Sequence, residues 1–168
     1  MTEEMLPVIN EDGELLRLAP RSECHNGKSM LLHPVIHLHI LNEKGDIFLQ
    51  KRSLNKDIQP GKWDTSVGGH VDPGESIEQA LLREASEEAG LKKFSYAFIK
   101  KYIWQSEREK EMVYSYFTRY QGVPVADPAE VDEGRFWTRS EIEQNLGTGI
   151  FTPNFEHEYN HVLKDYNI

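Results

Sequence analysis

The segment that most narrows what this chain can fold into runs from Ser76 to Gly90. Ser76 is a good N-cap, Gln79 stands three residues on as its capping-box partner, and Gly90 supplies a C-terminal stop, so the sequence predicts a helix over Ile77–Ala89. At about 100° per residue, Ile77, Leu81, Leu82, Ala85 and Ala89 share one arc, and Glu84, Glu87 and Glu88 share the adjoining one. Like charges at i, i+3 and i+4 oppose a helix by a few tenths of a kcal/mol per pair, and by more where water is excluded. Something cationic is therefore expected beside this face. A hard divalent ion such as Mg²⁺ or Mn²⁺ suits oxygen ligands and also bridges to phosphates.

Around that helix the hydrophobic periodicity is strand-like. Val8–Ile9 and Leu15–Leu18 flank the turn Asn10-Glu11-Asp12-Gly13 and read as a hairpin. Along Val35–Leu41, the residues Val35, His37, His39 and Leu41 alternate with Ile36, Leu38 and Ile40, which predicts a strand with two distinct faces. Ile47–Arg52 follows the Asn42–Asp46 turn as a second strand, and Lys56–Lys62 reads as a loop. Phe94–Trp104 and Met112–Tyr120 are expected as antiparallel neighbours. Ser140-Glu141-Ile142-Glu143 reads as the opening of a short helix, and Thr152-Pro153 as the start of another reaching about Tyr166. The order of elements points to an α+β fold, an α/β/α sandwich in a single domain over 1–168, with its core at about 31–165 and an N-terminal hairpin extension at about 8–20.

Composition excludes several function classes. Lys+Arg number 19 against 28 Asp+Glu, a formal charge of −9 that repels a nucleic-acid backbone, so no nucleic-acid partner is expected. Cys24 is the single cysteine, which rules out an intramolecular disulfide and fits a reducing compartment. The acidic N-terminal stretch MTEEMLPVINEDGELL has no basic segment leading into an apolar run, and no apolar stretch approaches the roughly 20 residues needed to cross a bilayer. A cytoplasmic protein without a membrane partner, with a homodimer as one option for its assembly, is the expectation.

The helix belongs to a longer pattern. Gly69, Glu75 and then Arg83-Glu84-x-x-Glu87-Glu88-x-Gly90 is similar to the Nudix box, with Ala85 in a slot more often filled by Leu, Ile or Val. The resemblance implies a Nudix fold, a mixed sheet between helices, and cleavage of a diphosphate joined to another moiety with the help of divalent cations. By position it implies metal ligation by Glu84, Glu87 and Glu88, orientation of those carboxylates by Arg83, and positioning of loop and helix by Glu75.

Beyond the box, Arg21-Ser22-Glu23-Cys24-His25, His33, Lys51 to Lys56, Gly69-His70, Glu109-Lys110-Glu111 and Phe151-Thr152-Pro153 resemble isopentenyl-diphosphate isomerase and its hydrolase-like relatives, covering roughly residues 8–165. The resemblance implies a second metal site made by His25, His33, His70, Glu109 and Glu111, and contacts of Arg21, Arg52 and Lys56 with the diphosphate. The His25–His33 interval is one residue longer than in the isomerase pattern. Of the two carboxylates, Glu111 is the one favoured for a site role. His37, His39, His157 and His161 read as structural or surface histidines.

One departure decides between activities. In Ser66-Val67-Gly68-Gly69-His70 the isomerase pattern carries a cysteine where this chain has Gly68. Allylic isomerisation adds a proton on one side of the alkene and removes one on the other, and glycine can do neither. The leading expectation is a Mg²⁺- or Mn²⁺-dependent pyrophosphohydrolase acting on a small-molecule diphosphate. The alternatives are an isomerase with another acid and a non-catalytic diphosphate sensor, the latter disfavoured by the intact carboxylate set.

Overall fold

The computed structural model describes residues 2–168. β1 (Met5–Ile9) and β2 (Leu15–Pro20) form an antiparallel hairpin. Its turn is held by Asn10, whose Oδ1 accepts from the backbone N–H groups of Asp12 at 3.0 Å and Glu14 at 2.9 Å. A single helical turn, α1 (Arg21–Cys24), leads into β3 (Leu32–Leu41) and β4 (Ile47–Arg52). Then come β5 (Trp63–Asp64), β6 (Val67–His70), α2 (Ile77–Ala89), β7 (Ala97–Gln105), β8 (Lys110–Arg119) and β9 (Val131–Trp137). The chain ends with α3 (Arg139–Asn145) and α4 (Pro153–Glu158), the latter continuing as π-helix over Tyr159–Leu163.

β3 to β9 make one mixed, seven-stranded sheet. On one side β3 runs parallel to β8, in register from Leu32↔Lys110 to Leu41↔Arg119, and β8 pairs antiparallel with β7. On the other side the partner of β3 changes along its length. β6 pairs with it from Val35 to Leu38, whereas β4 meets it only at Leu41↔Ile47. Ser66 secures the point of divergence, its hydroxyl accepting from Ile40 N–H at 2.9 Å and donating to the Phe48 carbonyl. The divergence leaves room for the cleft described below.

The alternation along β3 decides which helix covers which face. Ile36, Leu38 and Ile40 pack against Ala80, Leu81, Ala85 and Ala89 of α2, all essentially buried. Each fully buried Ile or Leu contributes about 1.5–3 kcal/mol from removal of apolar surface. Ala85 keeps the helix close to the sheet. On the opposite side Leu41, Ile47, Leu49 and Trp137 pack against Phe151, Phe155 and Tyr159. Helices therefore cover both faces, giving the α+β sandwich expected from the sequence. Among the described residues no helix is long and apolar enough to cross a membrane.

α2 has the predicted bounds because both caps form: Ser76 Oγ accepts from Gln79 N–H at 3.1 Å, Gln79 Oε1 accepts from Ser76 N–H at 2.9 Å, and Gly90 takes φ +70°. Three expectations need correction. α3 is capped by Thr138 and Glu141 instead of Ser140 and Glu143, because β9 ends at Trp137 and leaves Thr138 extended at the helix entrance. α4 stops its α-helical bonding at Glu158, well short of Tyr166. The strand expected from Phe94 begins only at Ala97, as β7; in β9, Gly134 lies opposite Gln50, and a Cβ there would stand 2.5 Å from Phe48 Cζ, so glycine is what lets that strand dock.

Candidate active site

A cleft of about 1150 Å³ opens where β3, β4 and β6 diverge, and most of the candidate residues line it. α2 presents Glu84 and Glu88 to it from one side. Glu88 accepts from the backbone N–H of Gly68 at 3.3 Å and from Gln50 Nε2 at 3.2 Å. Glu84 lies so close to Gly69 that a Cβ there would fall 2.2 Å from its carboxyl carbon, so only glycine leaves space for the carboxylate. Burial outweighs the neighbouring Arg83 and pushes the Glu84 carboxyl up to about 7. Burial, reinforced by Glu84, pushes Glu88 up to about 8. Glu87 sits on the outer margin, with 60% of its side chain exposed.

Arg83 organises this side. Its Nε and Nη2 donate to the two carboxylate oxygens of Glu75 at 2.8 and 2.9 Å, and Nη2 also donates to the His70 carbonyl at 3.0 Å. Nη1 donates to Glu84 at 2.7 Å and to Glu87 at 3.3 Å. One guanidinium therefore ties the loop before α2 to β6 and to two of the acidic residues, using the fork geometry that a lysine lacks.

Across the cleft a second group forms. His25, His33, His70 and Glu109 each place a donor atom within 4.8 Å of all the others. His25 is the C-cap of α1, its carbonyl accepting from Arg108 Nε at 3.2 Å. The longer His25–His33 interval is absorbed by a tight loop in which Asn26 Oδ1 accepts from Lys28 and Ser29 N–H, while Gly27 and Met30 adopt positive φ of 70° and 46°. His33 Nδ1 bonds the Leu31 carbonyl at 2.9 Å, leaving Nε2 for the cluster, and burial pushes this imidazole down to about 4, so its lone pair is free. His25 Nε2 lies 2.8 Å from Glu109 Oε2, yet these atoms and His33 Nε2 lack an aligned hydrogen bond. Burial opposes ionisation of Glu109, but His25 and its fellow imidazoles hold the carboxyl below its usual range. Converging, buried, unpartnered donors of this kind cost about 1–3 kcal/mol each unless something binds them, and a nitrogen–oxygen set fits a divalent transition ion.

Glu109, which the sequence ranked below Glu111, is the carboxylate that joins the three imidazoles. Glu111 is not part of that group; it lines the cleft, and burial next to Glu109 raises its carboxyl well above the usual range. The reason is local. Glu109 precedes β8 in a turn where the Ser106 hydroxyl accepts from its N–H at 3.2 Å, and that turn carries its side chain to His25.

The three basic candidates also line the cleft, each beside acids: Arg52 Nη1 donates to Asp64 at 3.2 Å, Lys56 Nζ to Glu130 at 2.8 Å, and Arg21 stands 3.7 Å from both Glu4 and Asp57. Sequence reasoning missed Gln50, Asp64 and Glu4, the last of which lies 3.4 Å from His70 Nδ1. It read His37 as structural without its partner Glu158, which meets it at 2.9 Å across 121 residues of sequence. Strand alternation placed His37 on a defined face, but nothing in the sequence marked its partner.

The match to known proteins agrees with this geometry. Residues 31–157 match the NUDIX domain family model. An uncharacterized Nudix hydrolase of Listeria monocytogenes is 35% identical over 136 residues, 74% of each chain. An isopentenyl-diphosphate Delta-isomerase of Photorhabdus laumondii is 28% identical over 172 residues, 97% of each. In fold, the chain resembles a crystal structure from Deinococcus radiodurans with TM-score 0.75 at 24% identity, covering 89% of this chain and 92% of that one. From the family model and the curated relatives together, the chain belongs to the Nudix family, in the branch that it shares with the isopentenyl-diphosphate isomerases.

Proposed function

We propose that this protein is a metal-dependent pyrophosphohydrolase cleaving the diphosphate linkage of a nucleoside diphosphate derivative or another organic diphosphate. The observation that carries this reading is the pair Glu84 and Glu88, two desolvated carboxylates facing one cleft beside Gly68 and Gly69. Desolvated like charges are costly alone and suit a bound Mg²⁺ or Mn²⁺. When bound, such an ion supplies neutralisation of phosphate oxygens and acidification of water.

The residues divide the remaining work. Glu84, Glu88 and the more exposed Glu87 would hold the ion, with Arg83 fixing the first and last of these. Glu84, desolvated against Gly69, is a carboxylate whose burial a bound cation would offset. Arg21, Arg52 and Lys56 would meet the phosphates at the rim by exchanging their present carboxylate partners for phosphate oxygens. Glu111, whose carboxyl burial raises well above the usual range, lines the cleft beside these groups. Gly68 offers no group for proton transfer to carbon, which favours hydrolysis over isomerisation.

The His25, His33, His70 and Glu109 cluster favours a second reading, an isomerase, because those positions match the isomerase metal site. One experiment separates the two. The protein is incubated with nucleoside diphosphate sugars, dinucleotides, nucleoside triphosphates and prenyl diphosphates, with Mg²⁺ or Mn²⁺, and products are read by ³¹P NMR. Release of phosphate or of a nucleoside monophosphate supports the hydrolase. Conversion of isopentenyl diphosphate to its allylic isomer, without phosphorus release from any compound, overturns it.

A further inference from the structure

His37 has no part in the reading above, yet it sits inside the cleft. It pairs with Gly68 across β3 and β6. Behind it, Glu158 of α4 is fully buried, with His37 Nδ1 at 2.9 Å and His39 Nε2 at 3.0 Å from the same oxygen. Among the described residues these two imidazoles are the ion-pair partners of Glu158, and no Lys or Arg reaches it. A buried carboxylate without a counter-charge costs several kcal/mol, so the group retains a proton on an imidazole. Burial opposes a charge on His37, but Glu158, with smaller contributions from Glu111 of β8 and Asp64 of β5, outweighs it and pushes the imidazole up to about 9. Glu158 in turn is held far below the usual carboxylate range in spite of its burial.

With Nδ1–H committed to Glu158, the opposite edge of the ring runs beneath Gly68. A Cβ at residue 68 would stand 3.4 Å from His37 Cδ2 and 3.7 Å from Nε2. Gly68 is not among the glycines with positive φ, so the backbone does not demand glycine there. What glycine provides is an uncovered imidazole edge. Arg52 and Lys56 carry acid partners that themselves line the cleft, whereas the partner of His37 lies behind it, outside the cleft lining.

We propose that His37 is a diphosphate-contacting residue: aimed by Glu158 and uncovered by Gly68, its Nε2–H donates a charge-assisted hydrogen bond to a phosphate oxygen of the substrate. The inference rests on the reading of this cleft as one that takes a diphosphate. A glycine at residue 68 and a histidine at residue 37 then act as one device, the first removing a side chain so that the second can reach the anion.

The probe is inorganic pyrophosphate at fixed Mg²⁺, followed by calorimetry and by ¹⁵N-edited NMR of the imidazoles. Pyrophosphate is expected to shift the His37 Nε2–H signal. His37→Ala is expected to weaken pyrophosphate binding about tenfold or more, in line with loss of a charge-assisted hydrogen bond. Because His37→Ala leaves Glu158 short of a partner and can unfold, Gly68→Val serves as a second variant: it keeps the His37–Glu158 pair, covers Nε2, and should weaken binding to a similar extent. Unchanged affinity in a folded His37→Ala or in Gly68→Val, or an unmoved His37 signal, overturns the proposal. If pyrophosphate moves His37 while no compound of the panel is hydrolysed, the hydrolase reading fails and this one stands. If a compound is cleaved equally well by His37→Ala, which also binds pyrophosphate undiminished, the reverse holds.

Discussion

Arg83 holds Glu75 through two parallel hydrogen bonds of 2.8 and 2.9 Å, joining the second turn of α2 to the loop that precedes it. The same guanidinium reaches Glu84 and Glu87, so one side chain sets both the entry of the helix and the orientation of its acids. Arg83→Lys keeps a charge and loses the fork. It should cost about 1–3 kcal/mol of stability, from the charge-assisted bonds no longer made, and lower turnover by at least tenfold. Thermal melts alongside steady-state rates check this; a variant as stable and as active as the parent would remove Arg83 from its organising role.

Glu84 and Glu88 make a pH-dependent liability in metal-free protein. Their folded carboxyls lie at about 7 and about 8, above the unfolded value, so the native state binds more protons than the unfolded state between roughly pH 4.5 and 8. Stability should therefore fall as pH rises through that window. Glu88→Gln should flatten the fall and gain on the order of 1–2 kcal/mol at pH 8, while abolishing most activity. Urea titrations in the presence of a chelator at several pH values test it, and identical pH profiles for parent and variant would contradict the assignment of a desolvated Glu88.

Gly69→Ala isolates geometry from charge. The added Cβ would collide with the Glu84 carboxyl group, which is the flexible end of its side chain. The carboxylate should swing aside at little cost to the fold, with a stability change below about 1 kcal/mol, and activity should drop about a hundredfold as the ligand leaves its place. Circular dichroism with kinetics is sufficient to read both.

The imidazole cluster predicts a second class of metal. Protein purified without added metal should carry a transition ion detectable by elemental analysis, since imidazole prefers Mn²⁺, Fe²⁺ or Zn²⁺ to Mg²⁺. His33→Ala or His70→Ala should weaken Zn²⁺ or Mn²⁺ binding by ten- to a hundredfold or more in calorimetry, leaving the α2 carboxylates with their own ion. Equal affinity in parent and variants would mean that these histidines only pack.

Much of this molecule was legible in its sequence because the controlling interactions are local. The caps at Ser76, Gln79 and Gly90 lie within a few bonds of the helix they bound, and the α2 carboxylates share a face by helical geometry alone. The alternation of Ile36, Leu38 and Ile40 with His37 and His39 likewise followed from the pleat. Tertiary structure decided the rest. Gly134 became part of a strand because Phe48 fills the space that its side chain would occupy. Glu109, and not Glu111, stands with the three imidazoles because a turn at Ser106, not strand alternation, directs it toward His25. His37 and Glu158 carry no local signature, since their pairing depends on α4 packing beneath β3 at a separation of 121 residues. Local periodicity fixes which face a side chain takes, but only the packed fold determines which distant charge waits there, and burial then sets the strength of that encounter.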